Sequence, residues 1–168
     1  GLLDRMKEEE LVETFVAGCA DLLGVAFIIG ISRGITVLMN DGGITDTILH
    51  WGEDALSGAG PISFVLLVFL IYLPLTILIP SSSGLATLSV PIMAPLSQFA
   101  GVSGALVVTA FQSACGLVNI ITPTAAVVMG ALALGHVPYD RWVKYVWKLI
   151  LYFLLLTMAF LIVGALLG

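Results

Sequence analysis

Two short polar runs interrupt an otherwise apolar chain, and both carry atoms suited to ion and carboxylate chemistry. They are Pro80-Ser81-Ser82-Ser83-Gly84 and Asn119-Ile120-Ile121-Thr122-Pro123-Thr124. Proline cannot donate to a helix ladder and biases the preceding residue toward extended backbone. A helix through Thr122 is therefore expected to break there and restart with Pro123 or Thr124 in its first turn; a simple proline kink is the alternative. Each interruption leaves one half-helix C-terminus and one half-helix N-terminus. The N-terminal ends, from Gly84 onward and from Thr124 onward, present free N–H groups and partial positive charge, which suit a carboxylate. The C-terminal ends, near Ile79 and Asn119, present carbonyls that suit a small cation. The substrate-binding candidates are Ser82, Ser83, Gly84, Asn119, Thr122, Pro123 and Thr124. Ser81, Ser82, Asn119 and Thr122 are the candidate oxygen ligands for Na⁺, with H⁺ as the other candidate coupling ion and no cofactor expected.

The helix leading to the second run adds Thr109, Gln112, Ser113, Gly116 and Asn119 at three- and four-residue spacing. Such a polar stripe in a membrane helix faces a bundle interior or a wet path, or else serves as helix–helix glue. Gln112 and Ser113 are accordingly substrate or structural candidates. So is Arg33, where snorkelling or a structural ion pair competes with substrate contact. Asp21 reads as an interfacial residue, and Cys19 and Cys115 as packing residues without metal-ligand spacing.

The elements that hold these residues follow from the solvent the chain requires. Of its 168 residues 60% are hydrophobic and 10% charged, with a mean hydropathy of +1.14. No Asp, Glu, Lys or Arg occurs from Ala55 to Tyr139 or from Leu149 to Gly168, so no water-facing surface can be built there and lipid is the expected surroundings. The net charge of −5 offers no basic patch for nucleic acid. Gly1 and the mixed-charge stretch from Asp4 to Glu13 resemble neither a signal peptide nor a natural start, as expected of a piece of a longer protein.

A crossing helix needs roughly 20 apolar residues. Three segments meet this length: Phe15 to Met39, Ala105 to Leu134, and Val143 to Leu167. Tyr139, Trp142, Tyr145 and Trp147 form an aromatic belt before the third, interleaved with Arg141, Lys144 and Lys148. By the positive-inside rule that loop is cytoplasmic. The resulting organisation is a cytoplasmic stretch over 1–13, a transmembrane helix over 14–39 and an outer interfacial amphipathic helix over 42–58. After these come a hairpin over 61–101, a broken transmembrane helix over 104–135 and a last transmembrane helix over 141–168. The hairpin either crosses twice or is re-entrant. Its uncharged tip and its second arm, with Pro91 and Pro95, favour re-entry, which is tolerated at depth only against protein or a wet cavity.

With these segments in place, Arg33-Gly34-Ile35, Asp46-Thr47-Ile48-Leu49, Ile79-Pro80-Ser81-Ser82-Ser83-Gly84-Leu85-Ala86 and Pro91-Ile92-Met93-Ala94-Pro95-Leu96 resemble the C4-dicarboxylate anaerobic carrier family. The likeness is strongest to its YfcC-like branch, whose members are often labelled basic amino-acid antiporters. It covers the chain from about Glu13. The wider ion transporter superfamily builds each protomer from two inverted repeats, each with a re-entrant hairpin and a broken helix. By that resemblance the fold is an all-α integral membrane one, the C-terminal half of an inverted-repeat transporter. Ser81 to Gly84 then match the hairpin tip and Asn119 to Thr124 the unwound loop. Ser82-Ser83 stand where the superfamily's symporters have Asn-Thr, which leaves dicarboxylate and Na⁺ count open.

The resemblance implies an ion-coupled secondary transporter of the bacterial inner membrane rather than an enzyme, moving a small carboxylate such as a C4-dicarboxylate or an amino acid like arginine or ornithine. Its implied partners are membrane lipid, a missing N-terminal repeat and a second protomer of a homodimer. A non-transporting membrane scaffold is the alternative. An intramembrane serine protease would need a nucleophile loop and a buried histidine, whereas His136 falls at the inner end of a span. The charge count makes a direct prediction: in intact cells, Ser57→Cys is labelled by an impermeant thiol reagent and Val137→Cys is protected, and the reverse pattern would overturn the assigned orientation.

Overall fold

A computed structural model describes residues 7–79 and 81–167, apart from the Ser32 side chain. Pro80 of the serine turn, residues 1–6 with Arg5, and residue 168 lie outside the described residues. Seven α-helices make up the described chain: α1 (Glu8–Asp41), α2 (Ile44–Leu56), α3 (Pro61–Leu78), α4 (Ser82–Phe99), α5 (Gly104–Asn119), α6 (Ala126–Leu134) and α7 (Tyr139–Leu167).

Helix α3 is the centre of the molecule. Phe64, Val65, Val68, Phe69, Tyr72, Leu75 and Thr76 recur at three- and four-residue spacing and are all buried. Helix α3 packs most extensively against α5 and α7, and also against α2 and α4. Because α3 is apolar all round, its whole surface can be placed against protein or lipid. Thr76 turns its hydroxyl back onto the Tyr72 carbonyl at 2.7 Å, so no polar group is stranded. The edge of the Tyr72 ring meets Phe111 of α5, with centroids 4.9 Å apart.

Among the described residues three helices are long and apolar enough to cross a membrane: α1, α3 and α7. The stretch 105–134, expected to be one broken crossing, is divided into a 16-residue α5 and a 9-residue α6. The 18-residue α3 reaches the crossing length instead. At about 1.5 Å per residue it spans about 27 Å, close to the thickness of a hydrocarbon core.

The chain leaves α1 at Gly42-Gly43, where Gly43 takes the left-handed conformation (φ 66°) that favours glycine. Helix α2 then lies across α3 and α4, burying Thr45, Leu49, Gly52 and Leu56. Thr45 is buried there with its hydroxyl satisfied, donating to Asn40 Oδ1 at 2.7 Å. At the far end of the bundle α5 and α7 approach so closely that a Cβ on Gly164 would stand 2.6 Å from Leu106 Cδ1.

The arms α3 and α4 run antiparallel from the serine turn. One buried bond joins them: the Tyr72 hydroxyl donates to Ser89 Oγ at 2.8 Å, and Ser89 donates onward to the Leu85 carbonyl at 2.7 Å. Side-chain hydrogen bonds inside membrane bundles average about 0.6 kcal/mol and reach about 1.7. A double-mutant cycle of Tyr72→Phe and Ser89→Ala, read by unfolding of the detergent-solubilised full-length protein, should give a coupling in that range. Zero coupling would mean that the arms are not joined there.

Candidate functional site

The serine turn is closed by its own side chain. Ser81 is extended (φ −143°, ψ 100°) and caps α4, its Oγ accepting from Gly84 N at 3.2 Å, while its carbonyl accepts from Leu85 N at 2.8 Å. A Cβ on Gly84 would stand 3.1 Å from that Oγ. Glycine therefore lets the cap sit close.

The second interruption is a true unwinding. Helix α5 ends at Asn119 and α6 begins at Ala126, beyond both Pro123 and Thr124, which were expected in its first turn. The delay has a local cause. The hydroxyls of Thr122 and Thr124 pair at 2.8 Å, and Ala125 N donates to the Thr122 carbonyl at 3.1 Å. This small turn uses up the residues that could have opened the helix. Ala125, the residue before α6, has no side chain to cap it. The N–H groups of Ala126, Val127 and Val128 consequently have no acceptor among the described residues.

The two interruptions meet in one cavity of about 780 Å³. Ser81 lines it from the hairpin turn, Asn119, Ile120 and Thr124 from the unwound segment, and Ala125 to Val128 from the start of α6. Helix α1 contributes Ile29 and Arg33, and α7 contributes Trp142. A smaller cavity of about 300 Å³ adjoins through Arg33 and Ser81, and adds Thr36, Asn40, Ile79, Gly84, Thr87 and Leu88. Arg33 is the one ionisable side chain in either lining, and among the described residues no carboxylate lies within ion-pair reach of it. Arg33 sits on the wall of the cavity. The space thus gathers one guanidinium, a helix start with three free N–H groups, an amide and two hydroxyls. Every one of these is a donor or carries positive charge, apart from the amide and hydroxyl oxygens, so the arrangement suits an anion with hydrogen-bonding oxygens.

Other expected residues fall elsewhere. Ser82 and Ser83 line neither cavity, nor do Thr122 and Pro123; Thr122 is buried against Thr124. Of the polar stripe only Asn119 reaches the site. The buried face of α5 is Val107, Ala110, Phe111, Ala114, Cys115, Leu117 and Val118, which turns Thr109 and Gln112 outward. Ser113 lines a separate groove of about 360 Å³ between α5 and α7, together with Thr109 and Thr157.

The carbonyls expected to suit a cation are partly engaged. Trp142 Nε1 donates to the Ile120 carbonyl at 2.9 Å, and the Tyr139 hydroxyl donates to the Ile121 carbonyl. Sequence reasoning placed both aromatics in an interfacial belt. The available signal was the break itself, since a proline-interrupted helix must find donors for its last carbonyls.

A family model described as C4-dicarboxylate anaerobic carrier matches residues 1–166. An uncharacterized protein of Haemophilus influenzae is 37% identical over 158 residues, covering 94% of this chain and 31% of that protein. A protein of Escherichia coli K12 named "Putative basic amino acid antiporter YfcC" is 29% identical over 147 residues, covering 84% of this chain and 29% of that protein. The chain thus spans about a third of the length of these curated relatives. No solved structure matches it significantly.

Proposed function

The chain belongs to the C4-dicarboxylate anaerobic carrier family, and on that premise we propose that it is the C-terminal part of an ion-coupled secondary transporter that binds a carboxylate-bearing metabolite in the larger cavity. One observation carries this reading: Arg33, Ser81, Asn119, Thr124 and the uncapped start of α6 line the same space. The substrate carboxylate lies between the Arg33 guanidinium and the N–H groups of Ala126 to Val128. Asn119 and the hydroxyls of Ser81 and Thr124 take its remaining oxygens. Although α3 is itself long enough to cross, in this reading it is tilted and the hairpin α3–α4 is re-entrant, as in the inverted-repeat carriers that the family resembles. The protein works in the bacterial inner membrane as a homodimer.

Magnitudes say why the remaining chain is needed. A helix terminus contributes typically 0.3–1 kcal/mol when exposed and up to about 2 in favourable, partly buried geometry. A hydrogen bond to a charged group adds about 1.5–3. A micromolar site requires about 8.2 kcal/mol. One helix start and one arginine supply about half of that, and the part of the protein corresponding to the rest of the longer relatives supplies the balance.

The lining also favours one substrate class. Neither cavity contains an Asp or Glu, so the cationic side chain of arginine or ornithine would meet Arg33 with nothing to offset it. A C4-dicarboxylate has no such conflict. It can set one carboxylate against α6 and the other toward Ser81, Gly84 and the start of α4. The coupling ion is Na⁺ or H⁺, with Asn119 and Ser81 the oxygen ligands that remain in the cavity. The basic amino-acid reading, which the Escherichia coli relative's name suggests, requires an acidic side chain from the rest of the protein.

The test is uptake by the full-length protein in proteoliposomes, with succinate and arginine offered separately, with and without a Na⁺ gradient. Succinate uptake should depend on the Na⁺ or proton gradient. Arg33→Gln should lower it about tenfold or more, the effect of losing about 1.4 kcal/mol of charge-assisted binding. Gradient-driven arginine uptake without succinate uptake would overturn the substrate class. Unchanged uptake in Arg33→Gln would overturn the site, and no ion-dependent uptake of either would favour a scaffold.

A further inference from the structure

Helix α7 begins at the unwound segment. Its first turn places Tyr139 and Trp142 so that both donate to the carbonyls immediately after α5, at Ile121 and Ile120. Those carbonyls need outside partners for two reasons. The last carbonyls of a helix have no intrahelical donor, and Pro123 has no N–H to offer. Thr122 cannot help with its side chain, since its hydroxyl is already paired with Thr124.

The neighbouring aromatics behave differently. Tyr145 is 80% and Trp147 52% exposed, as expected of anchors whose polar tips sit at the interface. Trp142 instead spends its N–H on backbone and turns its ring into the cavity that holds Arg33, Asn119 and Thr124. The side chain that fixes the unwound backbone is thereby also a wall of the site.

We propose that Trp142 and Tyr139 are the positioning residues of this site, holding the 120–121 backbone so that Asn119, Thr124 and the start of α6 face the substrate, and that the Trp142 indole reports substrate occupancy. This rests on the larger cavity being the substrate site. Without the two donors, the 120–125 segment keeps only its backbone bonds to the adjoining helices, at Leu117, Val118 and Met129. The Asn119 amide and the α6 N–H groups then lose their common orientation. The carboxylate would be bound less well, while the membrane-crossing helices stay in place.

The experiment uses the full-length protein in proteoliposomes with succinate as the probe. Trp142→Phe and Tyr139→Phe each remove one donor and keep a ring. Each should raise the KM for uptake fivefold or more, with Vmax within twofold of wild type, whereas a merely structural role would lower Vmax or the amount of folded protein instead. In a second arm, Trp142 is kept as the sole tryptophan, with Trp51, Trp147 and any others replaced by Phe. Succinate should change its emission saturably, with a midpoint near the KM, and a protein keeping only Trp147 should not respond. Wild-type KM in both Phe variants, or Trp142 emission unmoved by saturating succinate, overturns the proposal. Arg33→Gln separates the two readings. If it is impaired while the Phe variants are wild type, only the positioning role fails. If it also transports normally, the cavity itself is not the site.

Discussion

The arrangement turns on backbone groups that have lost their helix partners beside helices long and apolar enough to cross a membrane. In lipid an unpaired N–H or C=O has no solvent to fall back on, which confines irregular backbone to protein-lined or wet surroundings. The connection from α3 to α4 and the unwound segment over 120–125 both line one cavity, through Ser81 and through Asn119, Ile120 and Thr124. Where partners are found, the segment is rigid in purpose. Ser81 caps α4, and Tyr139 and Trp142 take the carbonyls after α5. Where no partner is found, at the start of α6, the unpaired N–H groups face open space beside Arg33. That asymmetry, with the Ile120 and Ile121 carbonyls paired and the N–H groups of α6 without acceptors, gives the cavity a positive bias suited to a carboxylate.

The packing of the helices serves this arrangement. The face of α3 that buries Phe64, Phe69, Tyr72 and Leu75 is the common surface on which α4, α5 and α7 rest. The Tyr72–Ser89 bond keeps the arm of α4 beside α3, so the turn between them is delivered to the cavity. Helix α7 touches α5 at both of its ends, at Leu106 through Gly164 and at Ile120 through Trp142. The unwound segment is thus held from a helix that is itself fixed against the core. By contrast, α1 and α7 leave most of their apolar surface uncovered, which is compatible with lipid or with further protein around them.

Much of this was legible in the residues themselves. The uncharged run from Ala55 to Tyr139 and the positions of Pro123 and the serine turn were enough to place both interruptions, because proline chemistry and the cost of charge in lipid are local rules. The finer geometry was not legible. The Thr122–Thr124 pair moved the start of α6 to Ala126, and no propensity distinguishes a threonine that opens a helix from one that closes a turn before it. Arg33 has the same identity whether it snorkels, pairs or lines a site; only the tertiary arrangement puts it opposite α6. Tyr139 and Trp142 read as an interfacial belt because a headgroup anchor and a carbonyl donor use the same residue types beside the same cations. The stripe on α5, of which Asn119 lines the cavity, was legible only as a spacing for a related reason. Its spacing identifies a face, and the packing of Phe111, Ala114 and Val118 decides which way that face points.

The most direct measurement of the central claim is an experimental structure of the full-length protein, determined by cryo-electron microscopy in lipid nanodiscs with saturating succinate. The account predicts ligand density in the cavity between the hairpin turn and the unwound segment, with one carboxylate in hydrogen-bonding reach of the Arg33 guanidinium and of the N–H groups at Ala126 to Val128. A ligand held elsewhere, with Arg33 paired to a carboxylate of the protein or turned to the lipid headgroups, would contradict it.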